Sequence, residues 1–146
     1  MFRTVVAGTD GSPRADRAVQ EAIDLCKSQG ARLHLVAAFG DTERHWESIE
    51  TSREVAVVDL RTVAEAVLAR EARKAEEQGV ATVDWAAREG SAAEAIIDAA
   101  LAEDADVIVI GNKGLTGKKR FLLGGVPEKV SRHAPCSVMI VNTDND

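Results

Sequence analysis

The sequence predicts an α/β fold, one doubly wound parallel sheet of five strands with helices on both faces. Two observations carry this. Short apolar runs of strand length alternate with longer segments of helical periodicity along the whole chain. The helical segments also open and close on capping residues, which gives their boundaries a physical cause. No internal repeat, linker or low-complexity stretch interrupts the pattern, so residues 1–146 are expected to form a single domain.

Thr4-Val5-Val6-Ala7-Gly8 reads as a buried first strand. Asp10-Gly11-Ser12-Pro13 then announces a helix, with Ser12 as cap and Pro13 at the first helical position, where a missing N–H costs nothing. Ala18, Val19, Ala22, Ile23 and Cys26 follow at helical spacing, and Gly30 can supply a left-handed stop. Arg32 to Ala38 is the second strand. From Phe39 to about Arg53 the chain is polar and irregular, long for a connection in a compact domain. A long helix to about Gln78 is expected to gather Leu60, Val63, Ala64, Val67 and Leu68 on one face, closing at Gly79. Thr82 to Arg88 is the third strand. Ser91 and Glu94 have the spacing of a capping box and open a helix carrying Ile96, Ile97, Ala100 and Leu101. Asp106 to Ile110 is a continuous apolar strand, as expected where both faces are covered. A short helix starts near Val126, and Ser137 to Val141 is the fifth strand.

Composition narrows the function. Of 146 residues, 45% are hydrophobic and 29% charged, the make-up of a soluble folded chain. Aromatics are 3%, so the core must be aliphatic. A formal charge of −6 argues against nucleic acid or an anionic membrane surface as partner, and any bound anion must be drawn by a local site. Cys26 and Cys136 sit in apolar runs and are expected to be buried thiols that simply pack. The N-terminus enters a short strand without the apolar region of a signal peptide, and no run reaches membrane-spanning length, so a cytoplasmic protein is expected. His34, His45 and His133 fall in unrelated segments, and no metal site is expected from them.

The informative residues follow strands one and four. Gly111-Asn112-Lys113-Gly114 leaves the fourth strand, and Gly124-Gly125-Val126-Pro127 leads into the last helix. Glycines let backbone N–H groups approach an anion closely, and the first turn of a helix adds unpaired N–H groups and the positive end of its dipole. Lys113, Lys118, Lys119 and Arg120 lie between, with Thr116 offering a hydroxyl. This is the composition of a phosphate cradle, although glycines after a strand also serve as plain turns and a basic run as a solvated loop. The pattern is neither a Walker A loop nor the dinucleotide fingerprint.

The spacing Gly111-x2-Gly114-x9-Gly124 closely resembles the G-x2-G-x9-G-[ST] motif of the ATP-binding universal stress proteins. The resemblance extends over the chain, from Thr4–Ser12 to the closing His133-Ala134-Pro135-Cys136-Ser137-Val138-Met139-Ile140-Val141. It implies a Rossmann-like sheet of order 3-2-1-4-5, and a ligand crevice where the winding reverses. It further implies that Gly8, Thr9 and Asp10 form one wall of that crevice. Asp10 would stand near the ribose and any Mg²⁺, although it could equally only stabilise its turn. By the same resemblance the backbone of Ala37 meets adenine, Ile110 and Gly111 line the nucleotide, and Gly114, Gly124, Gly125, Val126 and Pro127 hold the phosphates. Gly125 stands where ATP-binding members carry Ser or Thr, which leaves ATP, AMP and cyclic AMP open as ligands. Trp46, in the polar loop, reads either as a lid or as a surface residue.

Three functions follow. The leading one is a nucleotide-binding stress-response module, a sensor or adaptor. The second is a slow ATP hydrolase or phosphotransfer protein, for which no carboxylate or histidine is at hand between Gly114 and Val126 until Glu128. The third is a dimeric interaction module that has lost its nucleotide. In the 3-2-1-4-5 order the strand Ser137-Val138-Met139-Ile140-Val141 lies at an edge free of Lys and Pro, and is expected to pair with a second copy.

Overall fold

The computed structural model describes residues 1–40, 53–112 and 124–144, the side chains of 53–58 excepted. The elements run β1 (Thr4–Gly8), α1 (Pro13–Gln29), β2 (Arg32–Phe39), α2 (Arg53–Glu77), β3 (Val83–Glu89), α3 (Ala92–Ala102), β4 (Val107–Gly111), α4 (Gly125–His133) and β5 (Ser137–Val141). They build one five-stranded sheet of order β3-β2-β1-β4-β5. Every pairing is parallel, with Val5 opposite both Leu33 and Val107, and Gly111 opposite Val141. Among the described residues no helix is long and apolar enough to cross a membrane.

Strand alternation divides the core. Val5, Ala7, Leu33, Leu35 and Val107 pack with Val19, Ile23 and Cys26 of α1 and with Ala64, Leu68, Ala72 and Ala75 of α2 on one face. Val6, Val36, Ile108 and Ile110 pack with Ile96, Ala99 and Val130 on the other. The caps act as read: Ser12 Oγ accepts from the N–H of Ala15 at 3.1 Å, and Gly30 takes φ 66° in the left-handed region. Ser91 Oγ accepts from the N–H of Glu94 at 3.3 Å.

Several local expectations are corrected. Ala64 and Leu68 are buried as expected, but Leu60 and Val63 are exposed, and the buried stripe of α2 continues from Ala64 and Leu68 through Glu71, Ala72 and Ala75. Apolar character alone misplaced that face, because alanines set its close approach to the sheet and a paired acid completes it. Glu71 is buried between Arg70 (3.1 Å) and Lys74 (3.0 Å). Leu101 is exposed near the end of α3. Phe39 does not open the irregular stretch: it ends β2, is buried, and its carbonyl accepts from the N–H of Gly90 at 2.8 Å. Cys26 is buried, which pushes its thiol up to about 11, whereas Cys136 is only half-buried, in the turn before the edge strand β5.

Candidate functional site

The sheet order decides where a site can form. β2 and β4 flank β1 on opposite sides, so the connections leaving β1 and β4 diverge and open a crevice at the carboxyl ends of the strands. A cleft lies there. It encloses about 570 Å³ when its open mouth is counted, and is lined by Gly8, Thr9, Asp10, Ser12 and Ala15 on the β1–α1 side. Val36 and Ala38 of β2, Ala92 and Ile96 of α3, Ile110 and Gly111 of β4, and Val126 and Pro127 of α4 complete it.

The β1–α1 turn is held by its own side chains. Thr9 N–H donates to the Val36 carbonyl (3.0 Å), and Thr9 Oγ1 accepts from the N–H of Gly11 (3.1 Å). Asp10 Oδ1 accepts from the N–H of Ser12 (2.9 Å), so the carboxylate both supports the turn and stands exposed in the cleft lining. Both of the roles weighed for Asp10 are therefore open to it, since a carboxylate has further lone pairs for a hydroxyl or a hard cation. Gly11 needs its left-handed φ of 81°. Gly8 packs closely under α3: a Cβ there would lie 2.7 Å from Ile96 Cδ1, so that side chain would have to shift.

Opposite stands the start of α4. Gly124 has extended backbone and no side-chain cap, its N–H donates to the Asn112 carbonyl (3.0 Å), and its own carbonyl accepts from the N–H of Glu128 (3.1 Å). Pro127 has no N–H, so Gly125 and Val126 carry the amides this first turn can offer an anion.

The structure thus brings Gly8, Thr9, Asp10, Ile110, Gly111, Val126 and Pro127 together around the cleft. Gly124 and Gly125 adjoin Val126 at its rim without entering the lining. The Ala37 side chain belongs to the core of the opposite face, and only its backbone lies between the cleft-lining Val36 and Ala38. Gly114, Thr116, Lys113, Lys118, Lys119, Arg120, His45 and Trp46 fall outside the described residues. Ser12, Ala15, Val36, Ala38, Ala92 and Ile96 were not anticipated. Strand parity would have found Val36 and Ala38, since residues two apart share a face.

His34 lies in β2 and His133 ends α4, and His34 joins a cluster of its own. Its Nδ1 meets Asp84 Oδ1 at 2.6 Å, and Glu103 Oε1 lies 3.8 Å away. These groups could offer metal-ligand atoms. Arg32 already supplies the positive charge, donating to Glu103 Oε1 at 2.9 Å and to the Glu103 carbonyl at 2.9 Å. The cluster ties β2, β3 and the end of α3 together at the end of the sheet away from the cleft.

A sequence model of the "Universal stress protein family" matches residues 1–142. The chain belongs to that family. A universal stress protein of Thermus aquaticus is 36% identical over 146 residues, covering 97% of this chain and 99% of the relative. The universal stress protein UspA from Lactobacillus plantarum superposes with a TM-score of 0.85 at 20% identity, over 96% of this chain and 97% of that one, a likeness of fold. A universal stress protein solved in complex with cAMP is 28% identical, with a TM-score of 0.74 over 98% of this chain and 99% of that chain.

Proposed function

We propose that this universal stress protein is a single-domain sensor or adaptor of the cytoplasm that binds an adenine nucleotide, with its phosphates held by residues of the 111–126 segment. One observation carries the reading: the cleft at the winding reversal joins an apolar floor of Val36, Ala38, Ile96 and Ile110 to the first turn of α4. The floor suits a base and ribose, and the Gly125 and Val126 amides suit phosphate. The described likeness to a protein in complex with cAMP supports an adenine ligand. Asp10 is the residue that would take the ribose hydroxyls or a nucleotide-bound Mg²⁺. Nothing in the described cleft favours hydrolysis, and Glu128, the nearest acid past the glycines, is exposed and paired with Arg132 at 3.3 Å. The protein acts as a homodimer through the Ser137–Val141 edge.

Calorimetric titration with ATP, AMP and cyclic AMP, each with and without Mg²⁺, tests this. At least one should bind at micromolar concentration, with ATP favoured only weakly because Gly125 lacks the hydroxyl. If none binds, the protein is an interaction module without a nucleotide.

A further inference from the structure

The residue after Gly111 makes more hydrogen bonds than a turn position needs. The β4–β5 register ends at Gly111 opposite Val141. Asn112 N–H still donates to the Val141 carbonyl at 2.9 Å, but there the backbones part. Asn112 Oδ1 then accepts from both the N–H (3.0 Å) and the hydroxyl (2.9 Å) of Thr143. The Asn112 backbone carbonyl, a separate acceptor, takes the N–H of Gly124 at 3.0 Å. Thr143 is 1% exposed, so its two bonds to Asn112 are made away from water, where an unmade hydrogen bond is costly. Past it, the Asp144 carbonyl accepts from Arg17 Nη1 at 3.2 Å, which fastens the tail to α1.

We propose that Asn112 and Thr143 form a latch by which the segment after β5 fixes the first turn of α4 against the end of β4. The inference rests on the nucleotide reading only for its functional consequence. If phosphate is held by the Gly125 and Val126 amides, the Asn112–Gly124 bond helps to place them, and Thr143 acts on that bond by pinning the residue whose carbonyl makes it. Asn112 and Thr143 are then positioning residues.

The test uses the full chain and three variants, Asn112→Ala, Thr143→Ala and Thr143→Ser. Two readouts are taken: amide hydrogen exchange at Gly124–Val126 without ligand, and the affinities for ATP and adenosine. A typical hydrogen bond is worth about two- to tenfold in an equilibrium. Asn112→Ala should therefore speed exchange at Gly124 about tenfold and weaken ATP by a similar factor, with adenosine held within about twofold. Thr143→Ala should do the same to a smaller extent, and Thr143→Ser should restore both readouts. Unchanged exchange in both alanine variants overturns the latch. So does an equal loss of ATP and adenosine, which would mean a general loosening of the fold. If the parent binds no nucleotide, the functional reading falls and exchange alone decides, faster exchange upholding the latch and unchanged exchange overturning it.

Discussion

At the scale of single residues, two glycines of the site carry opposite lessons. Gly8 is crowded by packing: a Cβ there would need the Ile96 side chain to shift. Gly125 shows no such contact: among the described residues a Cβ there meets nothing within 4 Å, and its φ is not in the left-handed region. A serine at position 125, the first helical position of α4, therefore meets no described residue and needs no left-handed backbone. If phosphates sit on this turn, Gly125→Ser should supply the hydroxyl that the family motif places there. A hydrogen bond to a charged group is worth roughly 1.5–3 kcal/mol, so ATP should tighten by about tenfold or more and AMP by less than about twofold. Calorimetry with both ligands checks this, and equal gains would remove the terminal phosphate from the explanation. Both glycines were named as site positions by the family resemblance, and of the two only Gly8 lines the cleft. Their different packing was not legible in the sequence, because Ile96 lies 88 positions from Gly8 along the chain and meets it only through the packing of α3 on β1.

At the scale of elements, boundaries written in local chemistry were legible and those set by tertiary packing were not. Ser12, Pro13 and Gly30 mark α1 as read, because caps are decided by the residues that make them. The buried face of α2 was misread at Leu60 and Val63, since which stripe meets the sheet depends on how closely the helix can approach. The start of β1 depends on a contact no local pattern announces. Asp106, just before β4, accepts from the N–H groups of Arg3 (2.8 Å) and Thr4 (2.9 Å), and these bonds hold its carboxyl below the ordinary 3.8. A folded-state pKa that is depressed stabilises the protein above the unfolded value, and the contribution is lost as pH falls through the folded value. Asp106→Asn should therefore lower Tm near neutrality, and the deficit should shrink below about pH 4 as the parent loses the same charge. Thermal melts of parent and variant across that range check the sign. A deficit that grows on acidification would show that Asp106 acts otherwise.

At the scale of the whole molecule, the alternation of strands and helices made the parallel sheet legible, and of the three spaced glycines Gly111 lines the cleft where its winding reverses. The sheet nevertheless ends in two edges of different character. β3, Val83–Glu89, carries Asp84, Arg88 and Glu89 within the strand, charges that discourage pairing with another chain. β5, Ser137–Val141, carries no charge and no proline, and Met139 on it is 36% exposed. Its outer row of backbone groups has no strand beyond it among the described residues. Antiparallel pairing of two β5 strands across a two-fold axis would satisfy that row, cover Met139 and close on itself, so that it could not propagate into a fibre. The protein is accordingly expected to sediment at twice the chain mass at micromolar concentration. Met139→Lys tests the face directly: the site is partly exposed, so the folded subunit can carry the charge, whereas two copies facing each other across the axis would bring like charges together. The variant should shift to monomer while keeping its circular dichroism spectrum, and raising the salt should restore part of the dimer by screening. A parent that sediments as a monomer, or a Met139→Lys variant that stays dimeric at low salt, would remove β5 as the pairing edge.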